Sequence, residues 1–252
     1  MILFGDYHTH TIYSHGKGSV LENAQVAVSK GLKQIAISDH GFAHKTFALK
    51  RKELDKLFQD IDDASKKTGL IILRGVEANF TSLAGDIDVG VEDYSHFDVI
   101  LCGYHKLVKA QTIKDKFGLL FANNLALLPS KSQIEKNTAA VLKALEKNRI
   151  DVLTHLNSTM KVDTLKVARM ARDTGTYIEL NERRMLFTPD ELASMFAEKV
   201  NFVVSSDAHM PRNVGECNKV LNVLRRLDLP TANVANIGKC PVFKKYRSGE
   251  IL

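Results

Sequence analysis

A parallel α/β architecture closed as a (β/α)7 barrel is the fold class this 252-residue sequence predicts, on three observations. Short β-branched runs alternate with amphipathic helical segments almost from end to end, the pattern of βα units and a parallel sheet. Several helices carry explicit start signals. Histidines and carboxylates recur at the C-terminal ends of successive strand-like runs, and only in a barrel do all strand C-termini converge on one mouth. In an open doubly wound sheet, ligands gather at the switch point of the strand order, which leaves edge strands too distant.

The predicted strands are Ile2–His8, Gln34–Ser38, Leu70–Ala78, Phe97–Gly103, Asp151–Thr154, Thr176–Leu180 and Asn201–Ser205. Ser19-Val-Leu-Glu22 reads as a capping box opening the first helix, with Gly31 as its stop. Ser132 and Glu135 have the same spacing ahead of Ile134, Val141, Leu142 and Leu145, which recur at helical intervals. Thr188-Pro189-Asp190-Glu191 combines an N-cap, a proline at the first helical position and a capping glutamate. Residues 106–148 are long for one βα connection. The apolar stretch Phe117–Pro129 within them fits core packing, a lid or a subunit contact. With no repeat, low-complexity tract or linker, residues 1–252 read as one domain.

A hydrophobic content of 44% with 25% charged residues is that of an ordinary water-soluble chain. No apolar run approaches the roughly 20 residues of a membrane span, and the start lacks the features of a signal peptide. A cytoplasmic location is the default expectation. Three widely spaced cysteines exclude a C-x-x-C zinc knuckle and argue against a disulfide framework, and Cys102 reads as a buried thiol. The net charge of +6 suits an anionic substrate, yet no dense Lys/Arg block or aromatic–basic interleaving marks a nucleic-acid track.

Seven of the nine histidines lie at strand ends: His8 and His10 in D-Y-H-T-H, then His15, His40 in S-D-H, His105 in G-Y-H, His155 in T-H, and His209 in S-S-D-A-H. Glu77 and Asp207 accompany them. One H-x-H is weak evidence. Seven imidazoles buried together without a shared cation, however, would leave many polar atoms to satisfy. Imidazole and carboxylate suit Zn, Mn and Fe, and nine such groups can hold more than one ion. His44, in the loop after His40, could line the cleft. His96, ahead of the fourth strand, reads as structural. Asp6 and Asp39 precede ligands and either orient imidazoles or pack on the opposite face.

The motifs H-T-H-T-I-Y-S-H, A-I-S-D-H-G, L-R-G-V-E-A-N, G-Y-H, D-V-L-T-H and S-S-D-A-H-M resemble those of the PHP (polymerase and histidinol phosphatase) family over essentially the whole chain. The likeness is greatest to small standalone bacterial phosphatases, for which L-R-G-V-E-A-N followed by Gly85–Asp88 is typical. Leu156 after His155 departs from the usual proline. The resemblance implies a distorted TIM-like barrel, the PHP fold, with three divalent metal ions (Zn, Mn or Fe) at the C-terminal strand ends. It places His8, His10, Glu77 and Asp207 on one ion. Glu77 then bridges to a second ion with His105 and His155, and His15, His40 and His209 hold the third.

A metal-bridging hydroxide attacking phosphorus in a phosphomonoester is the implied chemistry, with histidinol phosphate as the substrate best known in such relatives. Glu77 fixes the metal spacing, and Asp207 is a candidate proton relay. Arg183, ahead of Arg184, Arg212 and Lys106, is the favoured cation for gripping phosphate from the mouth. The alternatives are a phosphodiesterase or 3′→5′ exonuclease acting on nucleotides, and a non-catalytic metal-bound scaffold. The expected partner is a small phosphorylated substrate. The sequence leaves the oligomeric state open.

Overall fold

The computed structural model describes residues 1–125, 129–244, 246–247 and 250–251. Seven parallel strands form one sheet in sequence order: β1 (Gly5–Thr9), β2 (Gln34–Ile37), β3 (Ile71–Asn79), β4 (Val99–Gly103), β5 (Val152–Leu153), β6 (Tyr177–Asn181) and β7 (Phe202–Ser205). All seven predicted runs are strands, with boundaries displaced by at most three residues. Just past β7 the ring closes on β1, where His10 N–H donates to Ala208 O (2.8 Å) and Ala208 N–H to His8 O (3.1 Å). The result is a nearly closed barrel, as the convergence of strand-end ligands predicts.

Helices α1 (Val20–Ser29) and α2 (Leu54–Thr68) follow β1 and β2. After β4 come a single turn α3 (Ile113–Asp115), a π-helical run Lys116–Phe121, α4 (Ala122–Leu125) and α5 (Lys131–Lys147). Then α6 (Thr164–Asp173), α7 (Pro189–Ala197) and α8 (Asn218–Arg226) complete the outer layer. The capping boxes at Ser19 and Thr188 form, and Gly31 follows α1 with φ +77°. Ser132 does not cap α5. The helix opens earlier, on Ser130, which follows Pro129 with extended backbone and accepts from Gln133 N (3.2 Å). The earlier start lets the Gln133 amide pin α5 to Gly118 O (2.9 Å).

Two apolar layers result. Ile35, Ile37, Ile100, Cys102, Leu153, Ile178 and Val204 point outward into the core beneath the helices. Tyr7, Ala36, Val99, Leu101, Val152 and Val203 fill the barrel interior. Phe243 packs edge-on against Tyr7 (centroids 5.1 Å apart) and Tyr177 (5.9 Å), plugging the end opposite the mouth. Buried Arg149 supports that end by donating to the carbonyls of Tyr94 (3.0 Å), Phe97 (3.0 Å) and Asp98 (2.8 Å), with Asp151 alongside at 3.3 Å.

The apolar stretch after β4 divides by face. Leu119 and Leu120 are buried, whereas Phe117 and Phe121 stack on each other at the surface. Core packing therefore accounts for part of it, while Ala126, Leu127 and Leu128 lie outside the described residues. His96 is exposed in a 3-10 turn before β4, and Cys102 is buried.

Candidate metal centre

Along β3, β4 and β6 the interior side chains alternate strictly, so Glu77 and Asn79 stand above Leu73, and Glu179 and Asn181 above Tyr177. Strand β1 breaks the alternation. Its register against β2 pairs Asp6 with Ile35 but Thr9 with Ile37, which inserts one extra residue. This bulge lets Tyr7 and His8 both face inward, and His10 follows at the mouth. Glycine at 103 clears the space above β4, where a Cβ would lie 2.6 Å from His155 Cε1.

Glu77 is the hub. Its Oε1 lies 2.8 Å from His155 Nε2, 3.2 Å from His105 Nε2 and 3.3 Å from His8 Nε2. Its Oε2 lies 2.8 Å from His40 Nδ1 and 3.6 Å from His10 Nε2. Asp207 Oδ1 faces His209 Nδ1 (3.3 Å), His10 Nε2 (3.6 Å) and His8 Nε2 (3.8 Å). Ligand-type atoms cluster in three overlapping groups: His8–His10–Asp207, His40–Glu77–His105 and His10–His40–His209. His15 stands apart from these groups; its ring stacks on Phe47 (4.0 Å), with centroids 4.7 Å from His209 and 6.1 Å from His40.

The residues fit divalent ions. His10 Nδ1, His40 Nδ1 and Glu77 Oε2 are buried without a hydrogen-bond partner. The last two lie close but misaligned, and the Nε2 atoms of His8 and His10 face each other at 3.1 Å. A buried polar atom left unpaired costs about 1–3 kcal/mol, and a shared cation would satisfy several at once.

Protonation states point the same way at Glu77, Asp207, His10, His15 and His209, whereas His8 would have to give up a proton to ligate. Burial pushes the Glu77 and Asp207 carboxyls up, but the surrounding imidazoles more than offset it and hold both well below the usual range. Burial holds His10 well below its ordinary value and lowers His15, and it brings His209 down to about 4. Burial also opposes the charge on His8, but Glu77, Glu179 and Asp207 outweigh it and raise its pKa. Ionised carboxylates and neutral imidazoles are the forms that ligate metals.

Two of the ligands expected from the sequence have left-handed backbone, His155 at φ 32° and Asp207 at φ 53°. Such conformations cost energy in non-glycine residues and persist where the surroundings enforce them. Glu179 supplies the enforcement at His155. Buried at 1% exposure, it accepts from His155 N–H (2.7 Å) and Asn181 Nδ2 (2.9 Å), and its other oxygen is 2.7 Å from His8 Nδ1. Asn79 holds His105 in the same way, Oδ1 to Nδ1 at 2.7 Å. Sequence reasoning missed both. The available signal was a polar side chain at every second position of an otherwise apolar strand: Glu77 and Asn79 on β3, Glu179 and Asn181 on β6.

Asp6 and Asp39 turn away from the imidazoles. Asp6 accepts from Ser206 N (3.1 Å) and Gly215 N (2.8 Å), and Asp39 from Thr11 N (2.8 Å) and Thr11 Oγ1 (2.6 Å), so each ties down a ligand-bearing loop. The four candidate substrate cations separate. Arg183 reaches the cluster itself, with Nη1 2.7 Å from His209 Nδ1 and 3.4 Å from Asp207 Oδ1. Arg184 and Lys106 line a cleft of about 360 Å³ over the cluster, together with His44. Arg212 does not line that cleft. It sits on the exposed turn Pro211–Asn213, where Pro211 packs against Gly18 and Lys30 Nζ holds the Arg212 carbonyl (2.7 Å).

Residues 6–184 match the family model of the PHP domain. The chain is 28% identical to a probable phosphatase of Thermoanaerobacter over 268 aligned positions, covering 100% of this chain and 98% of the relative. It is 29% identical to a probable phosphatase of Acetivibrio thermocellus, covering 92% and 90%. The fold is similar to that of histidinol phosphate phosphatase from Lactococcus lactis complexed with zinc, L-histidinol and phosphate. That comparison gives a TM-score of 0.63 at 14% identity, over 96% of this chain and 97% of the other. Among the described residues, no helix is long and apolar enough to cross a membrane.

Proposed function

Since the chain belongs to the PHP domain family, we propose that it is a metal-dependent phosphomonoester hydrolase whose nine strand-end ligands hold three divalent ions. The observation that carries this reading is the hub at Glu77, where one fully buried carboxylate meets five imidazoles. The probable phosphatases that align along its length support the reaction class.

His8, His10 and Asp207 would hold one ion together with Glu77. Glu77, His105 and His155 would hold the second, and His15, His40 and His209 the third. Bound there, such ions would acidify the attacking water and neutralise charge on the phosphoryl oxygens. The protein's own groups do the rest. Glu77 fixes the spacing between sites, and Glu179 and Asn79 fix the imidazole tautomers, leaving His8 Nε2 and His105 Nε2 free to ligate. Asp207 takes the nucleophile's proton, and Arg183, anchored beside it, grips a phosphoryl oxygen.

Initial rates on p-nitrophenyl phosphate, bis-p-nitrophenyl phosphate and L-histidinol phosphate, with Mn²⁺- and Zn²⁺-loaded protein, test the reading. Monoester turnover that disappears on chelation and in Asp207→Asn is expected. Preference for the diester would replace the reading with a phosphodiesterase, and absence of turnover with either metal would favour a metal-bound scaffold.

A further inference from the structure

The inner end of the cleft belongs to the metal ligands; its outer wall has a different chemistry. Lys106 and Leu107 follow β4, Ser158 and Thr159 follow β5, Arg184 follows β6, and Phe47 comes from the loop after β2. The carboxylates lining the cleft are Glu77 and Asp207, both committed to histidines. The outer wall therefore offers two cations, two hydroxyls and two apolar surfaces, and no anion.

Neither the Lys106 ammonium nor the Arg184 guanidinium makes an ion pair or hydrogen bond to any described residue, whereas the adjacent Arg183 is engaged with the ligand cluster. Arg183 contacts His209 and Asp207, and Lys161 donates to Asn157 O (2.6 Å). Both unpaired cations stand on anchored backbone. Arg184 N–H donates to Asn181 Oδ1 (2.8 Å), and the Lys106 carbonyl accepts from Asn124 Nδ2 (3.1 Å). Two cations of one sign lining one cleft, carried on the loops after β4 and β6, act together on whatever projects from the phosphate.

We propose that this outer wall selects phosphomonoesters whose alcohol carries a second negative charge, a carboxylate or another phosphate, and that Lys106 and Arg184 read that charge. The inference rests on the phosphatase reading above and deepens it. Hydrolysis breaks the P–O bond with water supplying the oxygen to phosphorus and a proton to the alcohol, which leaves the acid-bearing alcohol beside the outer-wall cations and phosphate at the inner end. An alcohol bearing an ammonium group, L-histidinol included, meets two like charges and no carboxylate. Like-charge juxtaposition of this kind strongly suppresses wrong partners.

The test compares kcat/KM of the Mn²⁺-loaded full chain on 3-phosphoglycerate, propane-1,3-diol bisphosphate, glycerol 3-phosphate, O-phosphoethanolamine and L-histidinol phosphate. The acid-bearing esters should exceed glycerol 3-phosphate by about tenfold and the ammonium esters by about a hundredfold at low salt, with the spread shrinking as salt rises. The first two substrates separate a carboxylate reader from a phosphate reader. Lys106→Gln and Arg184→Gln should each lower the ratio of acid-bearing to neutral turnover several-fold, a change that a general structural defect would not produce.

Equal or better turnover of the ammonium esters would overturn the inference. So would a ratio unmoved by both substitutions in variants with native circular dichroism. Calorimetric affinities for 3-phosphoglycerate and O-phosphoethanolamine keep the two readings apart. If no ester is turned over, the phosphatase reading falls, and tighter binding of the acid-bearing compound still upholds the charge preference while equal binding rejects it.

Discussion

Replacing Glu179 by glutamine keeps the shape of the side chain while removing its charge and turning one acceptor oxygen into a donor. The wild-type carboxylate is buried, and each of its contacts requires an acceptor: His155 N–H and Asn181 Nδ2 on one oxygen, His8 Nδ1 on the other. If the glutamine NH2 takes the first place, two donors lose their partner and His155 loses the bond that holds its left-handed backbone. If it takes the second, His8 must accept at Nδ1 and carry its proton on Nε2, the nitrogen that faces Glu77 and Asp207.

The first orientation leaves buried donors unpaired, at a cost of about 1–3 kcal/mol; the second keeps the pairs but puts a proton on the nitrogen that would ligate. Loss of a carboxylate that orients a metal-ligating histidine typically weakens metal binding by about 10- to 100-fold. Urea unfolding of the chelator-treated protein, followed by circular dichroism, reads the first quantity, and competition for Zn²⁺ or Mn²⁺ against a chelator reads the second. Glu179 acts as a positioning residue, so the metal affinity should fall more than the stability loss alone would give. A Glu179→Gln variant with unchanged unfolding midpoint and metal affinity within twofold of wild type would refute the reasoning.

Two further outcomes follow from buried groups. His44 is held down to about 4 by burial, with His40 and His105 adding to the effect, and its Nδ1 accepts from Thr46 N (3.3 Å) and Phe47 N (3.1 Å). The unfolded chain takes up this proton below its ordinary value of about 6.5, and the folded protein resists it until about 4. Stability contributed at this site is complete above pH 6.5 and should decline toward pH 4, by at most about 1.4 kcal/mol per pH unit. In His44→Asn the amide oxygen replaces Nδ1 without titrating, so its stability profile measured in chelator should be flatter over that window, and parallel profiles would reject the assignment. Arg149→Met should strand three carbonyls and remove the cation beside the buried Asp151 carboxylate at the closed end of the barrel, costing about 3–5 kcal/mol in urea unfolding. Turnover per metal-loaded molecule should be retained, because the site lies at the opposite end.

Much of the fold and of the ligand set is legible from local pattern. Short strands with Val, Ile and Leu alternate with helices such as those opened by Ser19 and Thr188, and such signals need only nearby residues to act. The histidines are recognisable because their positions at strand ends recur, and a barrel brings recurrent positions together. Where two start signals compete within one turn, as Ser130 and Ser132 do, the local pattern does not decide; the reach of Gln133 to Gly118 accompanies the earlier start.

The sequence by itself determined the seven βα units, the acid and imidazole types at their ends and the family to which they belong. Tertiary structure decided which atoms meet. Glu179 on β6 and His8 on β1 stand 171 residues apart and meet across the interior only because the barrel closes between β7 and β1. The bulge in β1 faces both Tyr7 and His8 inward, although strict alternation would have separated them. Arg183, Arg184 and Arg212 look equivalent as loop cations, yet one lies on the ligand cluster, one lines the cleft and one sits on an outer turn. The physical reason is range. Capping and hydrophobic period act over a few residues and are written locally, whereas hydrogen bonds and charges that converge on one buried point depend on the closure and register of the whole sheet.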